Sequence, residues 1–176
     1  MTDVPQTTTP PAGSPRALVV TASNRAAAGV YEDRGGPILV QGLLSMGFAV
    51  DGPQVVPDGD PVEAALRGAV AAGYDVVLTT GGTGLSPTDR TPEATAAVIE
   101  REVPGLAEAI RLHGTTHGVP TAALSRGIAG QAQTTLVINL PGSPGGCRDG
   151  IAVLKDVLRH AVDQVRGSDH RSGGGV

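Results

Sequence analysis

The sequence DVVLTTGGTG (75–84) joins a short apolar run to three glycines within four positions. Continuous apolar residues, as opposed to alternating ones, are typical of a strand that is covered on both faces in a parallel sheet. Two other runs, at residues 17–21 and 134–140, have the same character. Because glycine adopts positive φ angles and allows close backbone approach, the turn after residue 80 is predicted to be tight.

Amphipathic segments alternate with these strands. We predict helices at residues 37–46, 61–72, 91–101 and 105–113, a further strand at 48–56, and a long closing helix whose inner stripe runs from Ile151 to Val165. Thr91 is predicted to cap its helix, with Pro92 in the first helical position. Because strands that alternate with helices are joined by right-handed crossovers, the chain is predicted to be an α/β protein, a three-layer α/β/α sandwich with a mainly parallel sheet.

Composition limits the number of domains and the kinds of partner. A chain of 176 residues with 40% apolar residues fits one folded unit. We predict that this unit is 16–166 and that 1–15 and 167–176 are disordered tails, because their Pro, Thr and Gly residues bury too little apolar surface to offset the ordering entropy. A net charge of −4 and an aromatic content of 2% disfavour nucleic acids and anionic membranes as partners.

Cysteine and histidine give no sign of a metal centre. Cys147 is the only cysteine, which excludes an intrachain disulfide and a cysteine zinc cluster. We expect a packed thiol at Cys147 and not a nucleophile. His113 and His117 are four apart, but Gly114 is predicted to interrupt their helix. No stretch approaches the roughly 18–20 apolar residues that would span a bilayer, and no leader is evident, so we expect a cytoplasmic location.

Three Gly-rich segments follow predicted strands, at residues 23–36, 81–91 and 141–146. In open α/β sheets, binding sites lie beyond the carboxyl ends of the strands. The three segments are therefore expected to meet at one rim of the sheet. Two nucleotide motifs are excluded there: Lys155 is the only lysine, so no Walker A loop exists, and Pro87 stands where a dinucleotide fingerprint needs glycine.

The middle segment combines glycines with hydroxyls and carboxylates. Successive backbone N–H groups of residues 81–84 can cradle an anion, and Thr80, Thr83 and Ser86 add hydroxyl groups. A tight turn without a ligand is equally compatible with the glycines alone. Asp89 and Glu93 favour a site, because a carboxylate beside a phosphate is useful for holding Mg²⁺.

The flanking segments allow similar chemistry with plain structural alternatives. Gly142 and Ser143 precede the closing helix, whose N-terminus can hold a phosphate, although a helix-capping turn fits them equally well. Arg25 and Arg34 can pair with phosphates or lie at the solvated surface. Asp58 either coordinates a metal or caps the next helix, and spacing alone favours the cap.

Taken together, TTGGTGLSPTDRTPEA (79–94), NLPGSPGG (139–146) and ASNRAAAGVYEDRGGP (22–37) resemble the MogA/MoaB family of molybdenum cofactor biosynthesis proteins, the molybdopterin adenylyltransferases. The resemblance covers residues 16–166. It implies the fold of that family, usually as a homotrimer, and a reaction that joins the phosphate of molybdopterin to AMP from ATP, with release of pyrophosphate. Mg²⁺ and a molybdenum-insertion protein as a partner are also implied.

The resemblance assigns roles to individual residues. It changes the interpretation of Asp58 from a cap to a catalytic residue that holds Mg²⁺ together with Asp89. The substrate-binding positions that it implies are Ser23, Thr80, Gly81, Gly82, Thr83, Gly84, Ser86, Glu93, Gly142 and Ser143. Two alternatives stay open, a non-catalytic molybdopterin carrier and a trimeric scaffold of the same pathway.

Overall fold

The computed structural model describes residues 13–167, and most of both predicted tails, 1–12 and 168–176, lies outside the described residues. Pro15 was assigned to the first tail, but it is buried, and its carbonyl accepts a hydrogen bond from the backbone N–H of Ala49 at 2.9 Å. Packing of the domain therefore begins slightly before residue 16.

Six strands form one sheet in the order β2-β1-β3-β6-β5-β4. Their bounds are β1 Arg16–Ala22, β2 Ala49–Val56, β3 Val76–Thr80, β4 Arg101–Glu102, β5 Ala129–Ala132 and β6 Thr135–Leu140. The strands β2, β1, β3 and β6 run parallel, whereas β5 is antiparallel to β6 and β4 is antiparallel to β5. The prediction of a mainly parallel sheet is confirmed.

Helices cover both faces of this sheet. They are α1 Asn24–Ala27, α2 Gly35–Ser45, α3 Asp60–Ala71, α4 Thr91–Ala96, α5 Pro104–Thr116, α6 Pro144–Leu154 and α7 Leu158–Val165, with a 3₁₀ turn at Pro120–Leu124. On β3, Leu78 packs with α2, α5, α6 and α7, while Val77 packs on the other face with α3 and α4. Both Leu78 and Val77 are fully buried, which explains why residues 76–78 of the strand are all apolar. No helix in the part of the chain that the structure describes has the length and apolar character needed to cross a membrane.

The helix predicted at 91–101 is shorter than expected and begins differently. It ends at Ala96, and Thr91 is its first residue and not its cap, since Arg90 occupies the N-cap position without a side-chain hydrogen bond. The chain then pairs with β5: Glu100 donates its N–H to Gln131 O, and Val103 donates to Ala129 O, both at 2.8 Å. This pairing at the edge of the sheet forms strand β4, which the sequence pattern did not predict.

Two other helix predictions need correction. The long closing helix is divided into α6 and α7 by a turn in which Val157 N–H donates to Leu154 O at 3.1 Å, so that Leu154 and Leu158 are both fully buried. Gly114 does not interrupt α5, which continues to Thr116. A Cβ atom on Gly114 would lie 2.6 Å from Cβ of Ala122, so glycine serves close packing of the 3₁₀ turn against α5.

Candidate active site

The carboxyl ends of β1, β3 and β6 meet at one rim, as predicted for the three Gly-rich segments. Gly81 and Gly82 follow β3 with φ angles of +91° and +65°. A Cβ on Gly81 would collide with the carbonyl oxygen of Ala22 at the end of β1, and a Cβ on Gly142 would lie 3.1 Å from Cα of Gly81. Glycine is therefore required where the three strand ends touch.

Two cavities lie on either side of this glycine turn. The first, which we call the charged cavity, has a volume of about 360 Å³ and is lined in part by Ser23, Arg25, Arg34, Asp58 and Thr80. The second, which we call the apolar cavity, has a volume of about 370 Å³ and is lined in part by Thr83, Gly84, Ile110, Val119, Ala122, Leu124 and Ser143. Both cavities share Gly81, Gly82, Asp89 and Gly142. Groups bound in the two cavities would therefore meet at the turn.

Asp58 is held at the end of β2 by a reciprocal pair with Asn24. The N–H of Asn24 donates to Oδ2 of Asp58 at 3.3 Å, and the N–H of Asp58 donates to Oδ1 of Asn24 at 3.1 Å. Gly59, and not Asp58, is the N-cap of α3, and no side chain caps that helix. The cap that spacing favoured is therefore wrong, and the carboxylate faces the charged cavity instead.

The environment of Asp58 fits a bound cation. Its Oδ1 atom is buried without a hydrogen-bond partner among residues 13–167. Burial raises the pKa of this carboxyl above its usual 3.8, the hydrogen bond from Asn24 opposes the rise, and the charge of Asp89 adds to it. A buried acceptor beside a second carboxylate suits Mg²⁺, which often takes one or two protein carboxylates and completes its shell with water and phosphate oxygens. Residues 13–167 contain no cluster of three or more His, Cys, Asp or Glu side chains placed to hold a metal.

Asp89 lines both cavities from the loop that follows the glycine turn. Its Oδ2 accepts a hydrogen bond from the N–H of Ser86 at 3.0 Å, and its own N–H donates to Ser86 O at 2.9 Å. These two bonds fix the carboxylate relative to the loop. Ser86 itself is exposed and lines neither cavity, so it positions Asp89 through its backbone.

Arg126 fastens this loop and was not predicted from the sequence. Its Nε donates to Gly84 O at 2.8 Å, its Nη2 donates to Asp89 O at 2.7 Å, and its Nη1 pairs with the Glu93 carboxylate. The hydrogen bond from Arg126 lowers the pKa of Glu93. Glu93 thus serves the loop and lines neither cavity. Arg126 lies 42 residues from Gly84, and no spacing in the sequence links the two.

The predicted hydroxyl groups are largely engaged with the backbone. Thr80 Oγ1 donates to Pro141 O at 2.8 Å, which ties β3 to the third segment. Ser143 is the N-cap of α6 and accepts from Gly146 N–H at 3.0 Å, and Ser23 likewise caps α1. The protons of Ser23 and Ser143 remain available to a ligand, whereas that of Thr80 does not.

Two other predicted features have clear positions. Cys147 is fully buried beside Thr80, and burial raises the pKa of its thiol, so it is the packed thiol that we expected. Arg25 and Arg34 line the charged cavity, where their guanidinium carbons lie 5.1 and 5.9 Å from the ring centre of Tyr31. Both cations lie within cation–π distance of the ring, and Arg34 also lies 3.9 Å from the Glu32 carboxylate. As lining residues of the cavity, both guanidinium groups can meet phosphate oxygens.

Comparison with known proteins gives a consistent result. A family model described as "Probable molybdopterin binding domain" matches residues 18–160. The molybdopterin adenylyltransferase of Haemophilus influenzae is 41% identical over 143 residues, which is 78% of this chain and 72% of that protein.

Solved structures agree. The molybdopterin biosynthesis Mog protein from Mycobacterium ulcerans superposes with a TM-score of 0.82 at 53% identity, covering 86% of this chain and 99% of that one. MoaB from Thermus thermophilus gives 0.80 at 44% identity, with 86% and 96% covered.

Some relatives are longer. The chain spans about half the length, 48% and 50%, of the molybdenum cofactor biosynthesis bifunctional proteins of Synechococcus elongatus and Chlorobaculum tepidum. The resemblance inferred from the three Gly-rich segments is confirmed by these matches. Since the family model and the relatives cover most of its length, the chain belongs to the family of molybdopterin-binding domains that includes the MogA and MoaB proteins.

Proposed function

We propose that this protein is a molybdopterin adenylyltransferase of molybdenum cofactor biosynthesis, which transfers AMP from ATP to the phosphate of molybdopterin. The observation that carries the proposal is the meeting of two cavities at one glycine turn with a carboxylate, Asp89, on their shared border. A reaction between two anionic substrates needs both phosphates at one point. The names of relatives such as the Haemophilus influenzae adenylyltransferase support the same activity.

We assign the nucleotide to the charged cavity and the pterin to the apolar cavity. Arg25 and Arg34 at the mouth of the charged cavity suit a triphosphate. In the apolar cavity, Ile110, Val119 and Leu124 offer apolar contact to a ring system. The backbone N–H groups near Gly82 and the N-terminus of α6 at Ser143 would hold the pterin phosphate between the rings and the nucleotide.

In the proposed reaction, an oxygen of the molybdopterin phosphate attacks the α-phosphorus of ATP. A new P–O bond forms, the bond from the α-phosphorus to the bridging oxygen breaks, and pyrophosphate leaves with that oxygen. The attacking phosphate is already an anion, so no side-chain base or nucleophile is required. The protein contributes position and electrostatics: the glycine turn holds the nucleophile in line, and the arginines bind the departing phosphates.

Asp58 and Asp89 are the residues that would hold Mg²⁺. When bound there, Mg²⁺ would neutralise the charge that builds on the triphosphate. Asn24 orients Asp58 through their reciprocal hydrogen bonds, and Ser86 orients Asp89.

Three further features belong to the proposal. A homotrimer is implied by the resemblance, and light scattering of the purified chain tests it. A cytoplasmic location is consistent with a substrate such as ATP, and fractionation tests it. A molybdenum-insertion protein would take the adenylylated product, and pull-down with that protein as bait, in the presence and absence of the product, tests this partner.

The decisive experiment measures pyrophosphate release from molybdopterin, ATP and Mg²⁺. Asp89→Asn is expected to keep the fold and most pterin binding but to lose turnover by at least about 100-fold, in line with the effect of removing one electrostatic group from a reacting centre. Asp60→Asn, which removes a nearby exposed carboxylate that lines neither cavity, is the matched control and is expected to keep activity.

Unchanged turnover in Asp89→Asn contradicts the assigned role of this residue. Saturable molybdopterin binding by the wild-type protein without pyrophosphate release supports the carrier instead. Absence of any pterin-dependent stabilisation supports the scaffold.

A further inference from the structure

The apolar cavity contains one charge that the proposed reaction does not use. Asp149 lies on α6 and lines the wall of the cavity, and its side chain is 27% exposed. Of the residues lining that cavity, only Asp149 and the border residue Asp89 carry charge. A carboxylate among uncharged and largely apolar lining residues is costly unless it meets hydrogen-bond donors.

Within the described part of the chain, Asp149 makes a long ion-pair contact with His113 and no side-chain hydrogen bond. Its Oδ1 lies 3.9 Å from Nε2 of His113, which is beyond hydrogen-bond distance. The ring of His113 is also stacked on that of His117, with 3.9 Å between ring centres. On the other side, Gly114 places no side chain against the carboxylate, and even a Cβ there would lie 3.8 Å from Oδ2. Both carboxylate oxygens of Asp149 are therefore free to accept hydrogen bonds from a ligand.

The position of Asp149 relative to the anion-binding end sets the length of that ligand. Ser143 caps α6 and Asp149 lies six positions further along it, which is about 9 Å at 1.5 Å per residue. Ile110 and Leu124 supply apolar surface to the same cavity. The cavity thus combines an anion-binding helix N-terminus, apolar contact and, about 9 Å further along α6, a carboxylate with two acceptor oxygens.

We propose that Asp149 is a specificity residue that reads the amino edge of the pterin ring. In a 2-amino-4-oxopteridine the exocyclic amino group and the adjacent ring N–H form two parallel donors, and a carboxylate accepts such a pair through both oxygens. A ring with oxygen in place of the amino group loses one donor and leaves the carboxylate partly unpaired, so it is rejected. This assignment depends on the pterin occupying the apolar cavity, as in the proposed function.

The test compares two stable probes, 6-(hydroxymethyl)pterin phosphate and the corresponding 2-oxo compound, 6-(hydroxymethyl)lumazine phosphate. Their binding is measured by fluorescence titration to the full-length protein. Wild type is expected to bind the pterin at least about 10-fold more tightly than the lumazine, the low end of what one charge-assisted hydrogen bond contributes. Asp149→Asn is expected to lose about 10- to 100-fold of pterin affinity and to change lumazine affinity little.

Asp156→Asn is the matched control, because it removes an exposed carboxylate just beyond the end of α6, outside the cavity. It is expected to discriminate like wild type. Equal affinity of wild type for the two probes overturns the proposal without any variant, so a folding defect of Asp149→Asn cannot mask the answer. Absence of binding of either probe to wild type also overturns it.

The readout also separates this inference from the proposed activity. If the protein distinguishes the pterin from the lumazine through Asp149 but releases no pyrophosphate, the role of Asp149 is supported and the proposed enzyme activity is contradicted. If the protein releases pyrophosphate from ATP in the presence of molybdopterin but binds the two probes equally, the enzyme activity is supported and the role of Asp149 is contradicted.

Discussion

Gly82 is flanked by two buried oxygens, Asp58 Oδ1 and Thr91 Oγ1, that have no hydrogen-bond partner in residues 13–167. A Cβ on Gly82 would lie 2.6 Å from the Asp58 oxygen and closer still to the Thr91 oxygen, and the residue has a φ angle of +65°. The glycine is thus fixed by both conformation and space, and its absent side chain leaves Asp58 facing the cavity.

Gly82→Ala is expected to lower the free energy of unfolding by about 1–3 kcal/mol, the usual cost of a residue held in an unfavourable backbone region. It is also expected to abolish adenylylation, because Asp58 must move. Urea unfolding and pyrophosphate release measure the two effects. Gly68→Ala is the control: it lies exposed within α3 with nothing near its Cβ position, and should raise stability by about 0.5–1 kcal/mol. An alanine at 82 that is as stable as wild type contradicts the geometry.

Asp58 is expected to cost the protein stability at neutral pH. Burial raises its pKa above 3.8 in the folded state, so the folded protein binds a proton there more readily than the unfolded chain. By linkage, the charged carboxylate destabilises the fold above the raised pKa, and the penalty disappears as the pH falls below 3.8. Such a cost is common for residues kept for function.

Asp58→Asn should therefore raise the urea midpoint at pH 7, and its advantage over wild type should shrink as the pH approaches 3.8. Asp60→Asn, which removes an exposed carboxylate in the first turn of α3, should give no such gain. An advantage that is constant with pH would show that the substitution acts through something other than the charge.

How far the site is predictable depends on the distance in sequence over which its contacts act. Gly81, Gly82 and Asp89 lie in one continuous motif, and a strand followed by glycines and a carboxylate indicates chemistry without a structure. Asp58 was misassigned from spacing, because a carboxylate before a helix looks the same whether it caps or not. Arg126 carries no local pattern at all, since its partners lie in a distant loop.

The loop from Thr83 to Glu93 is held in place mainly by hydrogen bonds from Arg126. Besides its three side-chain contacts, Arg126 donates its backbone N–H to Thr83 O at 2.8 Å. Arg126 therefore holds the loop at both ends, Thr83 and Glu93. Because Asp89 lies between these ends, its position is also fixed. A guanidinium is needed, because its planar fork presents several donors at fixed angles.

Arg126→Gln is expected to lower kcat/KM by about 10- to 100-fold, since small misplacements of catalytic groups have effects of that size. It should also reduce the free energy of unfolding by about 1–3 kcal/mol. Arg67→Gln is a matched control: Arg67 also bridges a glutamate and a backbone carbonyl, Glu63 and Ala97 O, away from the cavities. Loss of activity in both variants, or in neither, argues against a specific role of the contacts between Arg126 and the loop. Kinetics with varied molybdopterin and Mg²⁺ provide the measurement.

Among the elements, those with a strong pattern were predicted and those formed by pairing were not. The strands β1, β3 and β6 each contain a continuous apolar run, at 17–20, 76–78 and 136–138, and α2 and α3 have clear inner faces. The strand β4 has only two residues, and it exists because it pairs with β5. The break between α6 and α7 is equally invisible, because the apolar stripe from Ile151 to Val165 continues across it.

Across the whole molecule, the two cavities share the glycine turn and Asp89, so in the proposed mechanism they would act as one site. Both ligands would place phosphates there, next to two carboxylates. Without a cation, like charges oppose simultaneous binding of the two substrates. Two phosphates and two carboxylates would thus lie close together at the end of the sheet. The loops there supply N–H groups and arginines that bind phosphate, and the two carboxylates can bind a cation, so the repulsion between the negative charges is reduced.

This arrangement predicts that simultaneous binding depends on Mg²⁺. A ligand at about 100 times its dissociation constant stabilises a protein by about 2.7 kcal/mol, which for a domain of this size raises Tm by roughly 5–10 °C. Thermal unfolding with a non-hydrolysable ATP analogue, 6-(hydroxymethyl)pterin phosphate, or both tests the coupling.

With Mg²⁺ the two shifts in Tm should add, whereas in EDTA the combined shift should be clearly smaller than the sum. In Asp58→Asn the combined shift should stay below the sum even with Mg²⁺, while Asp60→Asn should behave like wild type. Equal additivity in EDTA and in Mg²⁺ would mean that the phosphates do not meet at Gly82, and the shared-border mechanism would have to be abandoned.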